Sequence, residues 1–174
     1  MFGLKRGTVR LMPHDRKWKL IFERERKRLA KKLRGLVIDI QHVGSTAIVG
    51  IPAKPIIDIS MGVPNMRSAK KLVKLLTPLG YKLRPEFGGS NTQLLFVRGP
   101  ERRRTHYLHV MKYNGKMWKN DVLFRDHLRG NRSLARTYAA LKKKLAKRYA
   151  DDRASYTARK SKFILATIKK ARKV

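Results

Sequence analysis

The first long segment of the chain alternates apolar and basic positions with the period of an α-helix. Across residues 15–34 the apolar side chains recur at helical spacing, and the opposite face is rich in Lys and Arg. The apolar stripe consists of Trp18, Ile21, Phe22, Leu29 and Leu33. Pro13 before this segment and Gly35 after it are typical helix boundaries. We therefore predict an amphipathic helix whose apolar face joins the protein core.

The middle of the chain consists of short apolar runs separated by Gly, Pro, Asn and Ser, which is the pattern of strands joined by turns. The predicted strands cover residues 36–41, 55–63, 81–84, 93–98 and 105–112, with turns at residues 88–91 and 99–100. A helix over residues 65–77 interrupts them, and either Asn65 or Ser68 is predicted to cap it.

The last third of the chain is predicted to be helical. Apolar side chains at helical spacing cover residues 118–129, then residues 133–149 after a Ser133 cap, and finally residues 155–170. No internal repeat or change of composition marks a domain boundary. We predict an α+β fold and a single domain over residues 1–174. Its mixed sheet of about five strands is packed by helices, those from about residue 117 included.

The charge of the chain indicates a polyanionic partner. Lys and Arg together number 44 against 11 Asp and Glu, so the formal net charge is +33. Self-repulsion of this size opposes folding unless an anionic partner offsets it. Nucleic acid, above all RNA, is favoured; an anionic membrane surface and a merely solvated basic surface are the alternatives. The predicted RNA-binding residues are Lys31, Lys32, Arg102, Arg103, Arg104, Lys142, Lys143, Lys144, Lys147, Arg148, Lys169 and Lys170.

Two further features of the composition bear on the cellular setting. The chain has no cysteine, which excludes disulfides and thiolate metal sites and fits a reducing compartment. No apolar run approaches the ~20 residues needed to span a bilayer, and the N-terminus lacks the apolar core of a signal peptide. We expect a cytoplasmic location and no transmembrane segment.

The candidate chemistry lies in residues 41–60, where an aspartate interrupts an apolar strand. Asp58 stands among isoleucines, and a buried carboxylate is costly unless it is paired, hydrogen-bonded or bound to a metal. Upstream, Gly44 permits a tight turn, with the hydroxyls of Ser45 and Thr46 beside it. Lys54 adds a point charge suited to phosphate. The alternative is a plain loop with a capping hydroxyl and a backbone-bonded Asp58.

The stretch H-V-G-S-T-A-I-V-G-I-P-A-K-P-I-I-D-I resembles the signature of the GrpB family, within the polymerase-beta-like nucleotidyltransferase superfamily. T-H-Y-L-H-V, F-R-D-H-L-R and D-R-A-S-Y-T-A-R-K extend the resemblance over nearly the whole chain. It implies a nucleotidyltransferase-like sheet and a pocket for a nucleoside triphosphate. The implied site residues are His42, Gly44, Ser45, Thr46 and Lys54 for phosphate, and Asp58 as a catalytic ligand of Mg²⁺.

The carboxylate set of such an enzyme is incomplete in this sequence. Two-metal sites use Asp-x-Asp on one strand, whose first and third residues share a face, but Ser60 follows Asp58 here. The family often has Glu at Gln41 and His-x-His where this chain has Tyr107 and His109. His109 is then either a metal ligand or a hydrogen-bonded structural histidine. An active enzyme would need a further acid, such as Asp39 or Glu86.

Two classes of function follow from these observations. The protein is either a GrpB-like nucleotidyltransferase-fold protein that keeps a nucleotide pocket in an RNA-associated setting, or a degenerate member that serves as a structural component of a ribonucleoprotein. An active Mg²⁺-dependent nucleotidyltransferase is the alternative within the first class. We favour a retained pocket in a basic, RNA-binding protein, with catalysis left open.

Overall fold

A computed structural model describes residues 2–87 and 91–173, and five strands within them form one mixed sheet. The strands are β1 (Asp39–Val43), β2 (Ile57–Val63), β3 (Tyr81–Leu83), β4 (Gln93–Arg98) and β5 (His106–Lys112). Their spatial order is β1-β2-β5-β4-β3. The β2–β5 pair is parallel, and the other neighbouring pairs are antiparallel. The predicted α+β class and five-stranded mixed sheet are confirmed.

Five helices accompany the sheet in the part of the chain that the structure describes. They are α1 (Lys17–Lys32), α2 (Met66–Leu76), α3 (Lys116–Gly130), α4 (Arg132–Arg148) and α5 (Arg153–Ala171). The helical last third is therefore confirmed. Within the described ranges, no helix is both long enough and apolar enough to cross a membrane.

One face of the sheet carries the main apolar core, which α1 and α2 cover. Side chains alternate along a strand, so Ile57, Ile59 and Met61 of β2 point to this face together. Trp18 and Leu29, both from the predicted stripe of α1, pack against them and are almost fully buried. The apolar stripe of α1 therefore packs in the core, as the amphipathic pattern predicted.

The opposite face of the sheet is polar at its centre. The parallel register pairs Asp58 with Tyr107 and Ser60 with His109, and paired residues share a face. The antiparallel register adds Gln41 beside Ser60. Helix α3 packs over this face against β1, β2 and β5. The fold thus separates an apolar face from a face that presents functional groups, and we call the latter the polar face.

Element boundaries differ from the predictions where local signals compete. β1 covers Asp39–Val43 rather than residues 36–41, because its pairing with β2 sets its length. Asn131, not Ser133, caps α4 by accepting a hydrogen bond from the Leu134 amide at 2.9 Å. Helix α5 begins at Arg153, earlier than predicted. Residues 88–90 of one predicted turn lie outside the described residues.

A carboxylate lies within the apolar stripe of α1. Glu25 is buried, and it pairs at 2.7 Å with both Arg28 and Arg98. The Tyr81 hydroxyl also donates to it at 2.9 Å. Burial raises the pKa of Glu25, but these hydrogen bonds and the charge of Arg98 outweigh it and lower the pKa. The cluster joins α1 to β3 and β4.

Candidate functional site

A cavity of about 980 Å³ separates the polar face of the sheet from the C-terminal helices. Its sheet side is formed by β2, β4 and β5, and its helix side by α3, α4 and α5. The sheet contributes Asp58, Leu95, Val97, Tyr107 and His109; the helices contribute Asp121, Phe124, Tyr138, Arg153, Tyr156 and Lys160. We call this space the Asp58 cavity.

Gly44 lies beside the Asp58 carboxylate. The β1–β2 register places Val43 opposite Asp58, so the turn that follows β1 passes directly over this side chain. Gly44 has φ +69°, and a Cβ at this position would lie 2.5 Å from Asp58 Oδ2. Glycine is therefore required here for both conformation and space. Ser45, Thr46, Lys54 and His109 line the same cavity, so the structure brings together six of the predicted site residues when Gly44 and Asp58 are included.

The structure corrects the predicted role of His42. Its ring lies on the apolar face of the sheet and stacks on Phe22 with 4.7 Å between the ring centroids. His42 Nε2 is 3.0 Å from the Thr46 hydroxyl oxygen. Burial, with the charges of Arg129 and Arg125, lowers the pKa of His42 to about 3. His42 is thus a neutral structural residue outside the Asp58 cavity, and Thr46 has its hydroxyl turned towards it.

Asp121 of α3 is the acid that sequence reasoning missed. The Ser60 hydroxyl, fully buried on β2, donates to Asp121 Oδ2 at 2.7 Å. Burial raises the pKa of Asp121; the charge of His109 lowers it, and that of Asp58 raises it further. The second carboxylate in this cavity therefore comes from helix α3. It lies beside Ser60, the position that holds the second aspartate in an Asp-x-Asp strand. Its spacing from Trp118 and Phe124 places it on the buried side of α3, a signal available in the sequence.

Neither of the acids considered from sequence fills this place. Asp39 accepts hydrogen bonds from the Ile40 amide at 2.7 Å and from Gln41 Nε2 at 2.8 Å. Glu86 is exposed and accepts a hydrogen bond from Arg84 Nε at 2.7 Å. Neither lines the Asp58 cavity.

His109 reaches the cavity, whereas His106 does not. His109 Nε2 lies 4.0 Å from Asp58 Oδ1, and its Nδ1 lies 2.6 Å from Gln93 Nε2. His106 is buried on the opposite face beside Thr105, and burial lowers its pKa to about 4. Within the described residues, no three His, Asp or Glu side chains form a group that could hold a metal ion. Asp58 and Asp121 alone fit the one or two carboxylates with which proteins usually bind Mg²⁺, phosphate and water supplying the rest.

The cations Lys54, Lys160 and Arg153 line the cavity together with the acids Asp58, Asp121, Asp151 and Asp152. Lys54 and Lys160 both lie over the Tyr156 ring, with Nζ 5.4 and 4.4 Å from its centroid. Arg153 lies over the Tyr107 ring and donates to the Tyr107 hydroxyl at 2.6 Å. Burial lowers the pKa of Lys160 to about 8 and that of Lys54 well below its usual range. In residues 2–87 and 91–173, no carboxylate oxygen lies within 4.0 Å of these three cationic groups.

Most of the predicted RNA-binding residues lie at the surface, but two do not. The exposed ones are Lys31, Lys32, Arg102, Arg103, Lys143, Lys144, Lys147, Arg148, Lys169 and Lys170. Lys142 is fully buried; its Nζ donates to the Pro52 carbonyl and lies 4.9 Å from the Tyr138 ring centroid. Arg104 is buried and donates to the Gly99 carbonyl. Both side chains are therefore turned into the protein, where an RNA on the surface would not meet them, and RNA binding by the ten exposed residues stays a prediction.

The F-R-D segment joins α3 to the sheet. The Arg125 guanidinium donates to Gln41 Oε1 at 2.7 Å and to the His42 carbonyl at 2.9 Å, and it pairs with Asp126 at 2.7 Å. This helix-to-sheet contact fixes the position of α3, the helix that carries Asp121.

Comparison with known proteins agrees with this architecture. The family model described as GrpB protein matches residues 8–170. The chain is 38% identical over 167 residues to "Glutamate-rich protein GrpB" of Alkalihalophilus pseudofirmus, covering 94% of this chain and 96% of that protein. A UPF0157 protein of Pseudomonas aeruginosa is 40% identical over 169 residues, covering 94% of this chain and 67% of that protein. The crystal structure of conserved protein GrpB from Enterococcus faecalis aligns with a TM-score of 0.84 and 31% identity, covering 93% of this chain and 96% of that one. The chain therefore belongs to the GrpB family.

Proposed function

We propose that the protein binds a nucleoside triphosphate in the Asp58 cavity. The observation that carries the proposal is the wall formed by Lys54, Lys160 and Arg153, which lacks carboxylate partners in the described part of the chain. Buried lysines with no carboxylate oxygen within 4.0 Å are costly to keep charged, and a polyphosphate would offset that cost. The resemblance to polymerase-beta-like nucleotidyltransferases supports the same assignment, because those enzymes set a Gly-Ser turn against the triphosphate.

Mg²⁺ belongs to this proposal as the ion that would accompany the phosphates. Asp58 and Asp121 would hold it, and when bound it would neutralise charge on the reacting phosphate oxygens. Gly44 leaves room for the Asp58 carboxylate at this place. Ser60 orients the Asp121 carboxylate through its hydroxyl.

Nucleotidyl transfer is a second candidate function, and the acid pair favours it. In such a reaction an acceptor hydroxyl attacks the α-phosphate of the triphosphate, and pyrophosphate leaves. The cavity contains both Asp58 and Asp121 beside the proposed phosphate site, instead of the single Asp58 expected from sequence. The cations around Tyr156 would stabilise the negative charge of the leaving pyrophosphate.

RNA association completes the proposed function. The net charge of +33 supports it. A cytoplasmic location is part of the same proposal. Affinity for RNA should fall linearly on a log–log salt plot, by about 0.7 per phosphate contacted for single strands. A salt slope near zero would contradict RNA association through this charge.

The test of the nucleotide site is calorimetric titration with a nonhydrolysable triphosphate, with Mg²⁺ and with EDTA. Lys160→Met should weaken binding by about tenfold or more, because it removes a charge at the phosphates. Lys162→Met, an exposed neighbour on α5, is the matched control and should bind like the unmodified protein. Asp58→Asn should abolish the difference between Mg²⁺ and EDTA. Equal binding by the Lys160 and Lys162 variants would show that the triphosphate site lies elsewhere.

Turnover distinguishes the candidates within this proposal. Release of pyrophosphate by the unmodified protein with Mg²⁺, lost in Asp121→Asn, would identify an active nucleotidyltransferase. Tight binding without turnover would identify a nucleotide-binding protein. Absence of triphosphate binding together with strong RNA binding would favour the structural ribonucleoprotein component.

A further inference from the structure

A second cavity lies at the β1 edge of the sheet, apart from the Asp58 cavity. Its volume is about 980 Å³, and it is bounded by the start of α1, the turn after β1 and the facing sides of α3 and α4. Its basic lining residues are Arg16, Lys19, Arg125, Arg129, Arg132 and Arg136. We call this cavity the basic cleft.

Nearby carboxylates neutralise only part of this charge. Glu23 lines the cleft but pairs with Arg26 at 2.9 Å. Asp126 pairs with Arg125 at 2.7 Å and with Arg129 at 3.6 Å. These contacts account for the two arginines that lie on α3.

The remaining four cations have no such partner. Arg16, Lys19, Arg132 and Arg136 are exposed, and no carboxylate oxygen of the described residues lies within 4.0 Å of their charged groups. Asp15, next to Arg16, accepts a hydrogen bond from the Lys17 amide instead. Four cations therefore share one concave surface without an internal counter-ion, which raises the local concentration of anions.

The cleft and the Asp58 cavity meet at one turn of the chain. The short helical turn Ser45–Ala47 follows Gly44, and Thr46 lines both spaces. Arg129 Nε donates to the Ala47 carbonyl at 2.9 Å, which fixes α3 to this turn. A ligand in the basic cleft would thus end beside the turn that borders Asp58.

We propose that the basic cleft binds the phosphate backbone of single-stranded RNA. The inference rests on the RNA association proposed above and assigns it to the cleft instead of the exposed lysine-rich side of α4. Arginine guanidinium groups, which form most of the cleft's charge, match phosphate oxygens with paired hydrogen bonds. A concave surface accommodates a flexible single strand better than a rigid duplex. Phe22 and His42 are buried against each other, so base stacking and sequence preference should be small.

Two double variants on the same helix test the assignment. Arg132→Gln with Arg136→Gln removes two cleft cations; Lys144→Gln with Arg148→Gln removes two exposed cations at the same spacing outside the cleft. The probe is a fluorescent oligouridine of about 12 nucleotides, within the range of ~4–16 nucleotides that single-strand sites cover. The cleft variant should lose about tenfold or more in affinity, and its salt slope should fall by about 1.4. The control variant should change affinity by less than about twofold.

The outcomes separate the failure of the cleft from the failure of RNA association. Equal losses in both variants, or no loss in the cleft variant, would overturn the cleft while RNA association stands. No binding of the oligouridine by the unmodified protein, even at low salt, would overturn both. Circular dichroism of each variant shows whether the helices are intact, so an unfolded variant is recognised.

A crosslinking experiment gives a readout that does not depend on removing charge. The chain has no cysteine, so a single introduced thiol can carry a benzophenone label. Val49, 78% exposed, lines the cleft, whereas Leu165 of α5 is 62% exposed and does not. The label on Val49→Cys should crosslink the oligouridine, and the same label on Leu165→Cys should not. Equal crosslinking at both positions, or crosslinking at Leu165→Cys alone, would overturn the proposal.

Discussion

Gly44 lies against the Asp58 carboxylate, so we expect Gly44→Ala to disrupt triphosphate binding. The new Cβ would sit 2.5 Å from Asp58 Oδ2 and would displace that side chain. Gly50→Ala is the matched control, because Gly50 also has a positive φ of +83°, but a Cβ there would meet no atom within 4 Å. Gly50→Ala should lose about 1–2 kcal/mol of unfolding free energy from its positive φ, and Gly44→Ala should lose more, because the clash with Asp58 adds to that strain. Denaturant unfolding and calorimetric titration with triphosphate measure the two effects.

One result would exclude the contact between Gly44 and Asp58 as the cause of the lost triphosphate affinity. If the Gly50 variant loses as much triphosphate affinity as the Gly44 variant, backbone strain explains the loss and the contact with Asp58 does not.

Ser60→Asp would complete an Asp-x-Asp strand in sequence but should destabilise the fold. It places a second carboxylate within hydrogen-bond distance of Asp121, in a fully buried position. We expect a loss of about 1–3 kcal/mol in unfolding free energy without metal, from the lost hydrogen bond and the like charges. Adding Asp121→Asn should restore part of the lost unfolding free energy, since an amide can donate a hydrogen bond to the new carboxylate. A double-mutant cycle by denaturant unfolding measures this coupling; additive losses would contradict direct contact.

Lys160 should make triphosphate binding depend on pH. Burial lowers its pKa to about 8, the charge of Asp58 opposes that shift, and Arg153 adds to it. A bound phosphate raises this pKa towards its usual value, so binding above pH 8 takes up a proton. The Lys160 contribution to affinity is therefore complete below pH 8 and falls by up to about tenfold per pH unit above it, until the pKa of the bound state is reached. Titration in buffers of different ionisation enthalpy measures the uptake, and Lys160→Arg should reduce it; an unchanged uptake would exclude Lys160 as its source.

At the scale of elements, α1 is held to the sheet by Glu25 as well as by its apolar stripe. Glu25→Gln should lower the free energy of unfolding by about 3 kcal/mol. This is the lower end of the range for a broken buried ion pair, because Arg28 and Arg98 stay partly exposed. The pKa of Glu25 is lowered on folding, so this stability is present above the unfolded pKa and is lost as pH falls through the folded pKa. Urea unfolding at neutral and acidic pH measures both.

The same helix provides the control for Glu25. Glu23→Gln removes an exposed pair with Arg26 and should cost less than about 1 kcal/mol. A similar loss in both variants would show that helix propensity, and not the buried cluster, determines the effect.

Helix α3 places a carboxylate over the polar face of the sheet. Arg125 bonds the helix to β1, and Asp121 then lies one helical turn earlier on the same helix, over Ser60 of β2. Because Arg125 and Asp121 are four residues apart, the contact of Arg125 with β1 fixes the position of the Asp121 carboxylate over β2.

For the whole molecule, charge repulsion should make the fold more stable as salt rises. The net charge is +33, and raising ionic strength from 0.01 to 0.15 M shortens the Debye length from ~30 to ~8 Å. We expect Tm to increase over this range in thermal denaturation followed by circular dichroism. The increase should be smaller in the Lys144→Gln, Arg148→Gln variant. A Tm that falls with salt would show that surface ion pairs outweigh the repulsion.

The basic composition of this chain contrasts with the name of one relative. The relative from Alkalihalophilus pseudofirmus is called a glutamate-rich protein, whereas Lys and Arg outnumber Asp and Glu here by 44 to 11. The basic cleft shows how the fold concentrates part of that excess on one concave surface.

The sequence alone determined the number, type and order of the helices and strands, because helical spacing, short apolar runs and turn residues are local patterns, whereas strand ends depended on pairing. The spacing of Trp18, Phe22 and Leu29 predicted α1, and the interrupted apolar runs predicted the five strands. It also identified Gly44 and Asp58 as unusual, since a tight turn and a carboxylate in an apolar strand are visible locally.

Tertiary structure alone decided which of these residues meet. Strand register sent His42 to the apolar face and Asp58 to the polar one, and a one-residue difference in position reverses the face. Packing buried Lys142, although it stands within a run of surface lysines. Asp121 joined Asp58 across 63 residues of sequence, a separation at which local patterns carry no information about distance.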